Sequence, residues 1–165
     1  MSSLDIEQPV IDFVRPVIEP LTTPLSTSEM IANDVAFGNK SEDECLKALK
    51  DKFDPFLIKN TNKFAIFDYI GSKCFLELKT RKFSSDKYKD TMIGVNKIKN
   101  AVKNERKVIF CFRFDDGLFY WEFDKMNSLT NGDLDLRLGG RTDRGIDERR
   151  PYYFIKTSAM KKIVV

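Results

Sequence analysis

Asp68, Glu77 and Lys79 bring two acids and a base into one short stretch of this chain. Two carboxylates and an ammonium within reach of one another can hold a hard divalent cation through oxygen. They also place a positive charge beside a water or a phosphate, which is what hydrolysis of a phosphodiester requires. The chain has no histidine. Ser-His triads, HExxH zinc sites and Cys/His fingers are therefore excluded, and any acid, base or metal chemistry must rest on carboxylates and lysines. Taken alone, Glu-x-Lys is also a common surface ion pair worth at most about 1 kcal/mol. The elements around it have to decide.

KFAIFDYI (63–70), a Gly71-Ser72 turn and KCFLELKTR (73–81) read as a β-hairpin, with Asp68 near the end of the first strand. Period two puts Glu77 and Lys79 on one face of the second strand, while Cys74, Leu76 and Leu78 take the other. One face can build a core and the other a site. Ahead of the hairpin, Ser41 and Glu44 form a capping-box pattern, and Leu46, Leu49 and Phe53 recur at helical spacing. A helix is expected over 42–53, ended by Pro55. Behind the hairpin, Met92, Val95, Ile98 and Val102 predict a helix over 87–103, weakened by Gly94. VIFCFRF (108–114), Asp115-Asp116-Gly117 and LFYWEFD (118–124) form a second hairpin pattern, with Ile109, Cys111 and Arg113 on one face. Its many aromatics suit a core better than a base-stacking platform. Residues 127–150 read as loop, rich in Gly, Asp and Arg, and RPYYFIKTS supplies a last strand.

A chain of 165 residues fits one domain, able to bury roughly 68–70% of its unfolded surface. Its N-terminus lacks the basic and apolar regions of a signal peptide, and no apolar run approaches a membrane span. Cys45, Cys74 and Cys111 each lie in an apolar stretch and are expected to be buried, reduced thiols. A cytoplasmic or nuclear location is expected, or the virion if the source is viral. Residues 1–35 hold four of the six prolines, six acids and one base, for a net −5. The remaining 130 hold 27 bases and 19 acids, for +8. That excess can attract a polyanion. Prolines 9, 16, 20 and 24 argue for an extended arm over 1–35. The arm's many apolar residues call for a surface, either on the 36–165 domain or on a partner, which would make it a route to a homo-oligomer or a larger assembly.

The order helix, strand with Asp68, strand with Glu77-Leu78-Lys79, helix with Lys97, together with the spacing D-x8-E-L-K, resembles the PD-(D/E)xK nuclease superfamily from Asn39 to about Phe123. The residue before Asp68 is not proline, so the motif's first letter is missing. The resemblance implies an α/β, restriction-endonuclease-like core, a mixed sheet flanked by helices. It implies Mg²⁺ or Mn²⁺ on Asp68 and Glu77, with Lys79 completing the catalytic set. It further implies a glutamate of the first helix as an additional ligand. Glu42, on the inward stripe, is preferred over Glu44, which the capping box explains. Lys97 matches a position where relatives carry a polar residue toward the site. Arg81, Lys97 and the Gly-rich stretch with Arg141 and Arg144 are candidates for contact with nucleic acid, DNA in the first instance, although that stretch equally suits an ordinary turn. No G-K-[ST] follows it, so it is not a P-loop. The alternatives are a nuclease-like fold reused as a structural or nucleic-acid-binding subunit of a larger assembly, and a protein-interaction domain with no nucleic acid.

Overall fold

The structure is a computed structural model and describes residues 24–164. Most of the proposed arm, residues 1–23, lies outside the described residues. Ser26 begins the first helix, α1 (Thr27–Lys52), through a complete capping box. Its hydroxyl accepts from the Glu29 amide at 3.2 Å, and its own amide donates to the Glu29 carboxylate at 2.8 Å. The helix thus starts three residues after Pro24, and residues 27–35, expected as extended arm, are helical. Ser41 and Glu44 are not a cap: Ser41 is buried in the middle of the helix. Two S-x-x-E patterns stand in the chain, and the upstream one closes on itself.

After α1 come β1 (Ile58–Lys59), β2 (Tyr69–Ile70), β3 (Cys74–Thr80), β4 (Asp90–Gly94), α2 (Val95–Lys103), β5 (Lys107–Phe114), β6 (Gly117–Glu122), β7 (Leu134–Gly139), β8 (Arg150–Lys156), a short 3-10 turn, and β9 (Lys161–Lys162). Both expected hairpins form, the first with only two residues in its leading strand. Its turn is tight because the buried Asp54 carboxylate accepts from the Lys73 amide and the Ser72 hydroxyl. A side chain at Gly71 would meet that carboxylate at 2.5 Å.

The helix expected over 87–103 divides. Residues 90–94 are strand, with Thr91 and Ile93 buried, and Gly94 is the N-cap of α2. The glycine that weakened a long helix marks a strand-to-helix junction. The expected loop 127–150 contains β7, whose Leu-Asp-Leu-Arg-Leu alternation is strand-like.

The strands form a six-stranded sheet, β1-β2-β3-β5-β6-β9, and a three-stranded sheet, β4-β8-β7. In the larger sheet β3 and β5 are parallel and the other pairs antiparallel, so the sheet is mixed. Parallel neighbours need a crossover, and β4 with α2 provides it. Alternation then sorts the core into two layers. Cys74, Leu76, Leu78, Ile109 and Cys111 pack under Cys45 and Leu49 of α1. Val108, Phe110, Phe112, Phe114 and Trp121 pack on the opposite side with Ile98 and Ala101 of α2 and Ile93 and Ile155 of the smaller sheet. The result is an α/β, restriction-endonuclease-like core. The aromatics are core, and the three cysteines are buried free thiols. Among the described residues no helix is long and apolar enough to cross a membrane.

Candidate active site

Strand β3 places Glu77 and Lys79 on the sheet face opposite α1, on the side where α2 and the smaller sheet pack. Glu77 is completely buried. An isolated carboxylate there would cost several kcal/mol, and two lysines offset it. Lys79 Nζ lies 2.6 Å from Oε1, and Lys97 Nζ lies 2.8 Å from Oε2. Lys97 comes from the first turns of α2 and also donates to the Ile66 carbonyl. Lys79 stands off the hydrogen-bonding direction of Oε1, which is left without a hydrogen-bond donor among the described residues despite the close approach.

Asp68 precedes β2 rather than lying within a strand. Its Oδ2 accepts from the Leu78 amide at 2.8 Å, so the carboxylate continues the edge of β3 where β2 has ended. Burial raises the pKa of Asp68 to about 6. The charge of Glu77 adds to the rise, and the charge of Lys79 and the Leu78 amide oppose it. The negative charge of Glu77 therefore reaches Asp68, secondary to burial.

Glu42 projects from the middle of α1, pairs with Lys59 at 3.2 Å, and its carbonyl accepts from the buried Tyr69 hydroxyl at 2.5 Å. Its charge also acts to raise the pKa of Asp68. Glu44 points elsewhere and pairs with Arg113. Glu42 lines the cleft beside Asp68, and Glu44 is occupied by an arginine rather than by a cap.

A cleft of about 1180 Å³ runs between α1, the end of β3, β4 and the residues after β7. Glu42, Asp68, Lys79, Arg81, Arg141 and Arg144 all line it. Glu77 and Lys97 do not; they form its buried support. Arg81 is largely committed to structure, donating through Nε to Thr91 at 2.9 Å and through a terminal nitrogen to the Met92 carbonyl at 2.7 Å, and burial lowers its pKa. Lys97, expected to face nucleic acid, is spent on Glu77. Arg141 and Arg144 converge on Asp34 of α1, joined by Lys82. Asp34 and Lys82 were not picked out from sequence. The only signal for them was the contrast between an acidic N-terminal segment and a basic remainder.

Among the described residues, no three His, Cys, Asp or Glu side chains gather closely enough to hold an ion by themselves. Magnesium does not require that. It keeps several waters and is bound through one or two carboxylates plus substrate phosphates. Asp68 at the cleft and Glu77 beneath it are the two carboxylates that could serve such an ion, with Lys79 Nζ, 2.6 Å from Oε1, giving way to it.

A family model described as "Phage putative PDDEXK endonuclease" matches residues 44–163, well over half of the chain. No curated protein and no solved structure matches it.

Proposed function

The chain belongs to the phage PDDEXK endonuclease family, and from that premise we propose that it is a metal-dependent nuclease acting on DNA, with Asp68 and Glu77 as ligands of Mg²⁺ or Mn²⁺. The observation that carries the reading is Glu77: a carboxylate with no solvent exposure, held between Lys79 and Lys97 beneath a cleft lined by Asp68 and Glu42. Such a group is expensive to bury and adds little to stability. It is what a site for a cation and a phosphate needs.

A divalent ion held there would polarise a phosphoryl oxygen and lower the pKa of a water bound to it. Lys79, one-third exposed at the cleft wall, supplies a positive charge toward the scissile phosphate or the attacking water. Lys97 holds the Glu77 carboxylate in place from behind, and the Leu78 amide does the same for Asp68. Glu42 faces the cleft as a further acid and can carry waters in the outer coordination sphere.

A second reading has its own support. Glu77 is already neutralised by two lysines, and no three-acid cluster surrounds it among the described residues, which suits a nuclease-like fold that binds nucleic acid without cutting it. The two readings part on one assay. Purified protein is incubated with single-stranded DNA, double-stranded DNA and RNA in Mg²⁺, in Mn²⁺ and in chelator. Cleavage of DNA that stops with chelator is expected. Binding without cleavage under all conditions would favour the second reading.

A further inference from the structure

The first half of α1 is attached to the body in an unusual way. All the buried residues of the helix, Ser41, Cys45 and Leu49, belong to its second half. Upstream, Ile31, Val35 and Phe37 are exposed. That half is instead held at Asp34, whose carboxylate meets Lys82 at 3.1 Å, Arg141 at 2.8 Å, and Arg144. The Thr27 hydroxyl adds a bond to the Arg144 carbonyl.

Three cations from two separate segments converge on one acid. Arg144 is only 14% exposed, and its Nε is buried without a partner among the described residues. The segment that carries the arginines is shaped to bring them there. Gly140 has φ of +122°, and a side chain on it would strike the Glu148 carbonyl at 2.4 Å. Asp34, Lys82, Arg141 and Arg144 line the same cleft as Asp68 and Lys79.

We propose that Lys82, Arg141 and Arg144 are a phosphate-binding subsite for the substrate strand, and that Asp34 occupies it in the free protein as a stand-in for a phosphodiester. A carboxylate and a phosphodiester each present two oxygens sharing one negative charge. Guanidinium groups bind either anion through charge-assisted hydrogen bonds; here each arginine gives Asp34 one terminal nitrogen, while Arg141 is forked onto Asp143 and Arg144 also meets Glu148. Entry of a backbone phosphate therefore displaces Asp34, and with it the contact that holds down the first half of α1. No fully buried side chain ties this half of the helix to the core, Met30 being only half-buried, so the core opposes that movement little. The subsite would hold the strand beside the proposed metal site, so the inference rests on the nuclease reading for its substrate but not for its test.

The test is binding of a short, fluorescently labelled single-stranded DNA in chelator, where no cleavage occurs. Asp34→Asn removes the internal competitor and should tighten binding by about fivefold or more at low salt. Lys82→Gln, at an exposed position, should weaken it and lower the slope of log affinity against log salt by roughly one. Arg149→Gln is the control: Arg149 is an exposed arginine paired with Asp147 and outside the cleft. Unchanged or weaker binding by a folded Asp34→Asn overturns the proposal. So does a Lys82→Gln effect no larger than that of Arg149→Gln, which decides the matter even if Asp34→Asn does not fold. If the wild type binds no nucleic acid at all, the nuclease reading itself falls, an outcome distinct from both.

Discussion

Glu77 and Asp34 are each the centre of a charge cluster at the same cleft, and they are built on opposite principles. Glu77 is fully buried in the middle of a strand, fixed by hydrogen bonding along β3 and by two lysines from different elements. Asp34 is 29% exposed, on a half-helix with no fully buried side chain, and its partners come from loops. The first cluster cannot move without unfolding part of the sheet, whereas the second can open while the core stays whole. A site that must hold reacting groups in place wants the first arrangement. One that must admit a polymer wants the second.

The comparison is sharpest in stability. Glu77→Ala leaves two lysine charges facing a buried cavity and should cost about 3–5 kcal/mol, measured by denaturant unfolding. The triple change Glu77→Leu, Lys79→Met and Lys97→Met should recover most or all of that loss, because buried ion clusters replaced by apolar groups of similar size are often neutral or stabilising. A triple variant as unstable as Glu77→Ala would mean that the cluster is structural and would break the contrast with Asp34.

Next in size is the pH dependence of Asp68. Its carboxyl is raised to about 6 by burial and by Glu77, so the folded state holds the proton more tightly than the unfolded chain does. That contribution stabilises the fold at low pH and is lost as pH rises through 6. Asp68→Asn keeps an acceptor for the Leu78 amide without the charge. In chelator it should be more stable than wild type at pH 7–8 by up to about 3 kcal/mol, with the gap closing toward pH 4. A gap that is flat with pH would mean that the Asp68 carboxyl is not held above its ordinary range.

How far these residues were legible in the sequence follows from the same contrast. Glu77 and Lys79 could be placed because period two leaves little freedom in which way a strand residue faces, whereas Asp68, expected within a strand, stands just before β2 and is positioned by the Leu78 amide. Helical spacing put Glu42 on the inward stripe, whereas Glu44 was set aside for a cap it does not make. Asp34 could not be placed, since its partners Lys82, Arg141 and Arg144 lie 48 to 110 positions away, and no local pattern relates them. The start of α1 was hidden by a second capping-box pattern at Ser41 and by the weak apolar periodicity of 27–40. The strand β4 was hidden because Met92 also fits the helical spacing of Val95 and Ile98. Strand β7 was visible as alternation of leucines with Asp135 and Arg137, but the glycine and charge around it suggested loop.

The smallest expected effect belongs to Asp34. Because its bridges are partly exposed and screened, Asp34→Asn should change unfolding stability by less than about 1 kcal/mol, and by less still at high salt. A loss as large as that of Glu77→Ala would make the first half of α1 an integral part of the fold rather than a movable one.

Whether the buried acid of β3 serves cleavage is decided by cleavage and binding of the same DNA by wild type and Glu77→Gln in one buffer series. Wild type should cut in Mg²⁺ or Mn²⁺ and stop in chelator, while folded Glu77→Gln should bind the DNA at least as tightly and cut at least about a hundredfold more slowly. A folded Glu77→Gln that cuts at the wild-type rate would mean that the acid does not serve cleavage.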